Sequence, residues 1–406
     1  MRTPFGLLAT MTYALLHGCG DSPPATDTVR FGTNDVSVLL PLPAQFSDVD
    51  QLLPLSTLGN GGPLLSPAMF AQIPMFANRP NNPGLYSAWH VVGARIDPCF
   101  PDLALLTADP SKCRRQLRLI SQSISNNGPA DSGPPGVLNV DDAALHLFFE
   151  FDSAQFNALA SEWLALSSAQ SRDPALPLGV HPVIAVEGLT GPTYQALVAI
   201  IKKYAGSATL AQFTAMDGRT VAWEFAGFTP VGDTLTELAI HGVAPNYKSQ
   251  TISADNLEIF SIAPETTASR NLAALAGEYV NTGGVGGGAV KLTASQAALD
   301  AALKLTLTID DPTQQFNPES LDCVSCHLAG RARDRATKLG GNSSGMDRFT
   351  NARNLTLGGS RAPNDSVRQQ RAFGYRDTFT SINQRVVNES AAVADALEVM
   401  FPLYKE

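Results

Sequence analysis

Residues 144–151 carry the clearest alternation in the chain. Leu145, Leu147 and Phe149 fall on one side, and His146, Phe148 and Glu150 on the other. That is the period of a half-buried strand. Asp152 or Ser153 can then cap a helix reaching about Leu166. A second helix is predicted over 193–204, where Leu197, Ile200 and Ile201 share a face and Gly206 ends the run. Strands are predicted at 35–42, 86–96, 116–124, 180–186, 235–240 and 257–262 from their β-branched and aromatic content. Residues 210–216 and 220–228 read as a hairpin turning at Asp217-Gly218. Ser66-Pro67 opens a short helix, and another helix is predicted over 294–303. The expectation is an α+β domain at 35–310, a mainly antiparallel sheet with helices, followed by a smaller helical unit at 311–406.

At 406 residues with 44% hydrophobic and 16% charged side chains, the chain can bury a sizeable core. Its 28 basic and 37 acidic residues give a net charge of −9, and no Lys/Arg-rich run occurs, which argues against nucleic acid as a partner. No apolar stretch is long enough for a spanning helix. The six-residue glycine-rich run at 283–288 does not open a helical pattern, so it reads as a loop or hinge rather than a phosphate cradle. Gly341-x-Ser343-x-Gly345 lacks the preceding strand that a nucleophile elbow needs. His90, His146, His181 and His241 have no metal-ligand spacing.

The first residues read as an address. Arg2 precedes a mostly apolar run over 5–16, and Leu16-His17-Gly18-Cys19 follows. This resembles the lipobox of bacterial lipoproteins, although His17 is unusual at its place. The resemblance implies a signal peptide at 1–18, lipidation of Cys19, a tether at 19–34, and an exported protein held to a bacterial membrane, with the outer membrane expected, by its N-terminal lipid.

The chemistry is concentrated at Cys323-Val324-Ser325-Cys326-His327. On a helix, residues i, i+3 and i+4 share one face, so both sulfurs and the imidazole point the same way. Asn317 and Pro318 are suited to begin that helix, which should end near Gly340-Gly341. A zinc site would need a second ligand pair, and a thioredoxin-like motif would need a βαβ context; neither is present. The C-x-x-C-H spacing resembles the c-type cytochromes. That resemblance implies one covalent haem c bound through Cys323 and Cys326, with His327 as proximal iron ligand. It also implies a small cytochrome c-like domain closed by an amphipathic helix bearing Ile382, Val386, Val393, Leu397 and Met400. Phe373, Tyr375 and Phe379 could line its pocket or be ordinary core.

The sixth ligand is open. No histidine follows His327, so a second imidazole would have to come from the N-terminal region; Met346 and Met400 are the downstream candidates. Arg331 and Arg335 can meet propionates or solvent. Electron transfer to a redox partner protein is the first function expected. A haem peroxidase or oxidase with an open iron, or a ligand-binding or sensing lipoprotein, are the alternatives. Residues 319–406 hold 12 basic and 10 acidic side chains, so the acidity lies elsewhere and could steer a partner. Cys99 and Cys113 flank a short proline-containing loop, and export predicts a disulfide between them.

Overall fold

The computed structural model describes residues 28–29, 31–77, 79–126, 138–168, 170–173, 176–219, 222–242, 248–253, 261–263, 268, 272, 296–309, 316, 320–338, 351–353, 355 and 373–404. The leader with Cys19, the glycine run at 283–288, Asn317, Pro318 and Met346 lie outside them, as do the side chains of Arg331 and Arg335.

Among the described residues nine strands form one antiparallel sheet. They are β1 (Ser37–Leu39), β2 (Trp89–Phe100), β3 (Arg114–Ser125), β4 (Asn139–Phe151), β5 (Leu210–Arg219), β6 (Ala222–Val231), β7 (Thr234–Glu237), β8 (Ser249–Ser253) and β9 (Ser261–Ala263). Their order is β9-β8-β6-β5-β4-β3-β2-β1, with β7 also paired to β6. The long strands β2 to β4 fix the register: Arg95 opposes Arg118, Arg118 opposes Phe148, and His146 opposes Ile120 and Thr214.

Period-2 alternation gives this sheet two unlike faces. Leu117, Leu119, Leu145, Leu147, Phe149, Phe213 and Phe228 are buried on one face. Two helices lie over it, α2 (Ser153–Leu164) and α4 (Pro192–Tyr204). Each Leu or Phe so buried contributes roughly 1.5–3 kcal/mol. Asp152 begins α2 with a reciprocal cap: its carboxylate accepts from Gln155 N at 2.8 Å, while Gln155 Oε1 accepts from Asp152 N at 3.2 Å.

The other face carries Arg95, Asp97, Gln116, Arg118, Gln122 and His146. The C-terminal third of the chain covers it with α6 (Cys323–Lys338), a hairpin of β10 (Phe373–Arg376) and β11 (Phe379–Ile382), and α7 (Gln384–Met400). Helix α5 (Gln296–Ile309) packs against α6. This corrects the expected fold class. Residues 311–406 do not make a small helical cytochrome-like unit beside an α+β domain: Phe373, Tyr375, Ile382, Val386, Val393 and Leu397 belong to the same core as the sheet. The reason is chemical. Buried polar groups on the sheet need partners, and this segment supplies them. Gln122 Nε2 donates to Tyr375 O at 2.9 Å, and its Oε1 accepts from Tyr375 N at 2.7 Å. Ser37 and Ser390 share a hydrogen bond at 2.7 Å.

Three local expectations also change. Residues 180–186 are not a strand, because Pro182 opens a helix, α3 (Pro182–Glu187), capped by His181. Residues 33–36 form the short helix α1 (Thr33–Val36) before β1. Asp217 and Gly218 lie inside β5 rather than in a turn. Asp217 is buried and paired with Arg79 at 2.9 Å. A Cβ on Gly218 would sit 2.6 Å from Asp142 O, so close strand approach rather than turn geometry selects glycine. Within the expected tether, Thr28–Val29 pair with Leu403–Tyr404, and Phe31 is fully buried. Cys99 and Cys113 are joined by a disulfide across 14 residues, their Cα atoms 4.4 Å apart.

Glu389 on α7 holds Arg95 Nη1 at 2.7 Å and Arg385 Nη1 at 3.2 Å. Burial alone would raise its carboxyl, but Arg385, Arg95 and Arg118 outweigh that and hold it below the usual glutamate range. Removing it strands buried guanidinium groups. Glu389→Ala should therefore cost roughly 3–5 kcal/mol, read as a lowered urea midpoint.

His181 accepts from Ile184 N through Nδ1, and burial pushes its pKa down to about 4. The folded protein keeps it neutral, while the unfolded chain takes up a proton below about pH 6.5. Its contribution is present above that pH and is lost as pH falls towards about 4. Urea midpoints at about pH 7 and about pH 4.5 should differ less for His181→Gln than for the unsubstituted chain.

Candidate functional site

Helix α6 opens with a side-chain cap, as helix N-termini with unsatisfied N–H groups require, and the capping residue is Asp322. Its Oδ1 accepts from Ser325 N at 2.9 Å. Gln250, fully buried on β8, fastens the same end to the sheet: its Oε1 accepts from Val324 N and its Nε2 donates to Asp322 Oδ1, both at 3.2 Å. Asp322 thus takes the place expected for Asn317. Val324, Leu328 and Ala332 bury one side of α6 with Trp223, Phe225 and Leu303.

The i, i+3, i+4 face carries Cys323, Cys326 and His327, and all three line one cavity of about 690 Å³, mouth included. The opposite wall is the polar face of the sheet, with Ala144, His146 and Phe148 from β4, Thr214 and Met216 from β5, and Phe225 from β6. Arg118 and Arg385 close a third side. The His327 ring stacks at a tilt on Phe225, 4.9 Å between centroids.

Both cysteines are thiols. Burial, then the charges of Asp322 and Cys326, push Cys323 up to about 12. Burial also raises Cys326, against the pull of Arg385. His146 is pushed down to about 3 by burial first, then by His327, so the two imidazoles sense each other across the cavity. Neither His146 ring nitrogen has a hydrogen-bond partner among the described residues.

Behind the cavity lies a buried charge cluster. Arg118 pairs with Asp97 at 2.9 Å and stacks between Phe100 and Phe148, 4.9 and 5.3 Å from their centroids. Burial lowers it to about 10, so it stays cationic at neutral pH. Among the described residues, Arg95, Arg118 and Arg385 face Asp97 and Glu389. Arg385 Nε is buried, without a hydrogen-bond partner, and its residue lines the cavity. An anionic ligand group would satisfy the orphan donor.

The structure therefore brings together Cys323, Cys326 and His327, and adds His146, Met216, Arg118 and Arg385, which no sequence spacing joins to them. Phe373 and Tyr375 are core, and Phe379 is exposed; none lines the cavity. Met346 lies outside the described residues, and Met400 packs at the edge of the main core. Among the described residues no three His, Cys, Asp or Glu side chains converge as a ligand set for a bare metal ion. No helix among them is long and apolar enough to cross a membrane. Comparison with protein-family models, curated proteins and solved structures gives no match.

In full-length protein made without haem-attachment machinery, Cys323 should resist alkylation. A pKa near 12 leaves on the order of a thousandfold less thiolate at about pH 8 than an ordinary thiol has. Timed iodoacetamide labelling and peptide mass mapping measure the ratio.

Proposed function

We propose that this chain is an exported c-type cytochrome that carries one covalent haem in the cavity between α6 and the sheet and passes electrons to and from a partner protein. The observation that carries this reading is the convergence of Cys323, Cys326 and His327 on a single cavity. Two thiols spaced along one helix face, with an imidazole beside them, suit the two edges and the centre of a porphyrin better than they suit a point-like ion. The orphan Arg385 Nε fits a propionate carboxylate.

Each thiol would add across a vinyl group: a sulfur–carbon bond forms, the thiol proton moves to the other vinyl carbon, and nothing leaves. His327 would offer a ring nitrogen to the iron. Once bound, the group supplies a reversible one-electron centre. Phe225, Phe148 and Met216 exclude water around it, and that exclusion is one of the protein's levers on potential. Export is supported by the Leu16-His17-Gly18-Cys19 sequence and by the Cys99–Cys113 disulfide, which belongs in an oxidising compartment. Lipid on Cys19 would hold the protein at a membrane.

The test is to produce the full chain with cytochrome c maturation machinery. The denatured protein should keep one haem by mass and give the absorption of a doubly thioether-linked haem. Replacing both Cys323 and Cys326 with Ala should abolish the attachment, and His327→Ala should abolish the native spectrum. Recovery of both cysteines as unmodified thiols, or of a zinc protein, would overturn the reading.

A further inference from the structure

Resting on that reading, the geometry points to His146 as the second axial ligand of the iron, giving a haem held between one imidazole from α6 and one from the middle of the sheet. The candidate sits on β4 with its register fixed on both sides, opposite Ile120 on β3 and Thr214 on β5. Its neighbours at i−2 and i+2, Ala144 and Phe148, line the same cavity. The side chain therefore projects from the sheet towards α6, while His327 projects from α6 towards the sheet. A flat ligand tethered to α6 through Cys323 and Cys326 would present its far face to β4.

His146 also has what a ligand needs chemically. It is half-buried in the cavity wall, and no hydrogen bond among the described residues occupies either ring nitrogen. A neutral imidazole with a nitrogen to offer is a strong ligand for haem iron. Met216 is the rival on the same wall. It opposes Ala144 and Phe225 and is packed into the apolar cluster with Trp223 and Leu328, the usual situation of a core methionine. Met346 lies outside the described residues.

Full-length protein matured with haem is compared with His146→Ala, His146→Gln and Met216→Leu. Haem content is measured on denatured protein, folding by far-UV circular dichroism, and ligation by electron paramagnetic resonance and absorption. If the unsubstituted chain carries no covalent haem, the cytochrome reading itself fails. If it carries haem, the expected result is a six-coordinate low-spin ferric iron with two nitrogen ligands. His146→Ala should keep the haem but shift the ferric iron to high spin, and added imidazole should restore the low-spin spectrum. His146→Gln, closer in volume, should show the same loss while retaining the fold, and Met216→Leu should leave the spectrum unchanged.

A high-spin unsubstituted protein would overturn the ligand assignment, as would a low-spin spectrum unchanged in both His146 variants. A sulfur-ligated spectrum lost in Met216→Leu would overturn it in favour of Met216. If that sulfur signature survives Met216→Leu, Met346→Leu locates it, again against His146.

Discussion

Arg95 and Arg118 stand directly opposite each other on adjacent strands, with Asp97 beside them and little water to relieve them. Two like charges in that position are tolerable only if carboxylates reach them. Asp97 serves Arg118, and Glu389, 294 residues along the chain from Arg95, serves Arg95. The sheet alone is therefore an incomplete object. Its polar face needs the C-terminal helix, and once α7 is docked there the hairpin β10–β11 and the motif helix α6 share the remaining surface. The cavity is the space these covers leave over β4 and β5.

This dependence explains why a division of the chain at residue 310 fails. Local signals are strong where an element's own residues determine it: the alternation around Leu145–Phe149, the Asp152 cap, and the Cys323/Cys326/His327 face of a helix are all legible within a few residues. What local pattern does not hold is which face of which strand meets which distant helix. His146 reads as one of several scattered histidines because its significance lies in register. Only the pairing with Ile120 and Thr214 turns its side chain towards α6. Gln250 carries no sequence signal at all, yet it fixes the first turn of the motif helix to the sheet.

Two local expectations fail for one cause. Asp217-Gly218 has the composition of a hairpin turn, and residues 180–186 have the composition of a strand. In both, another demand overrides local preference. Asp217 is claimed by Arg79, and Gly218 by the approach of Asp142, so β5 runs on to Arg219. At 180–186 the preset backbone of Pro182, together with the His181 cap, starts a helix despite the β-branched Val183, Ile184 and Val186.

Building the cavity wall from a sheet rather than from a small helical bundle changes what can be controlled there. A strand holds its side chains at fixed spacing through hydrogen bonds on both sides, so a group at its centre cannot withdraw without breaking the ladder. His146 is so placed, between Ile120 and Thr214. Arg118, one strand away, is equally fixed between Phe100 and Phe148. The helix side is anchored through Asp322 and Gln250 to β8 of the same sheet. Both walls are thus referenced to one hydrogen-bonded frame. That fixed frame follows from the antiparallel pairing of β3, β4 and β5 rather than from the motif itself.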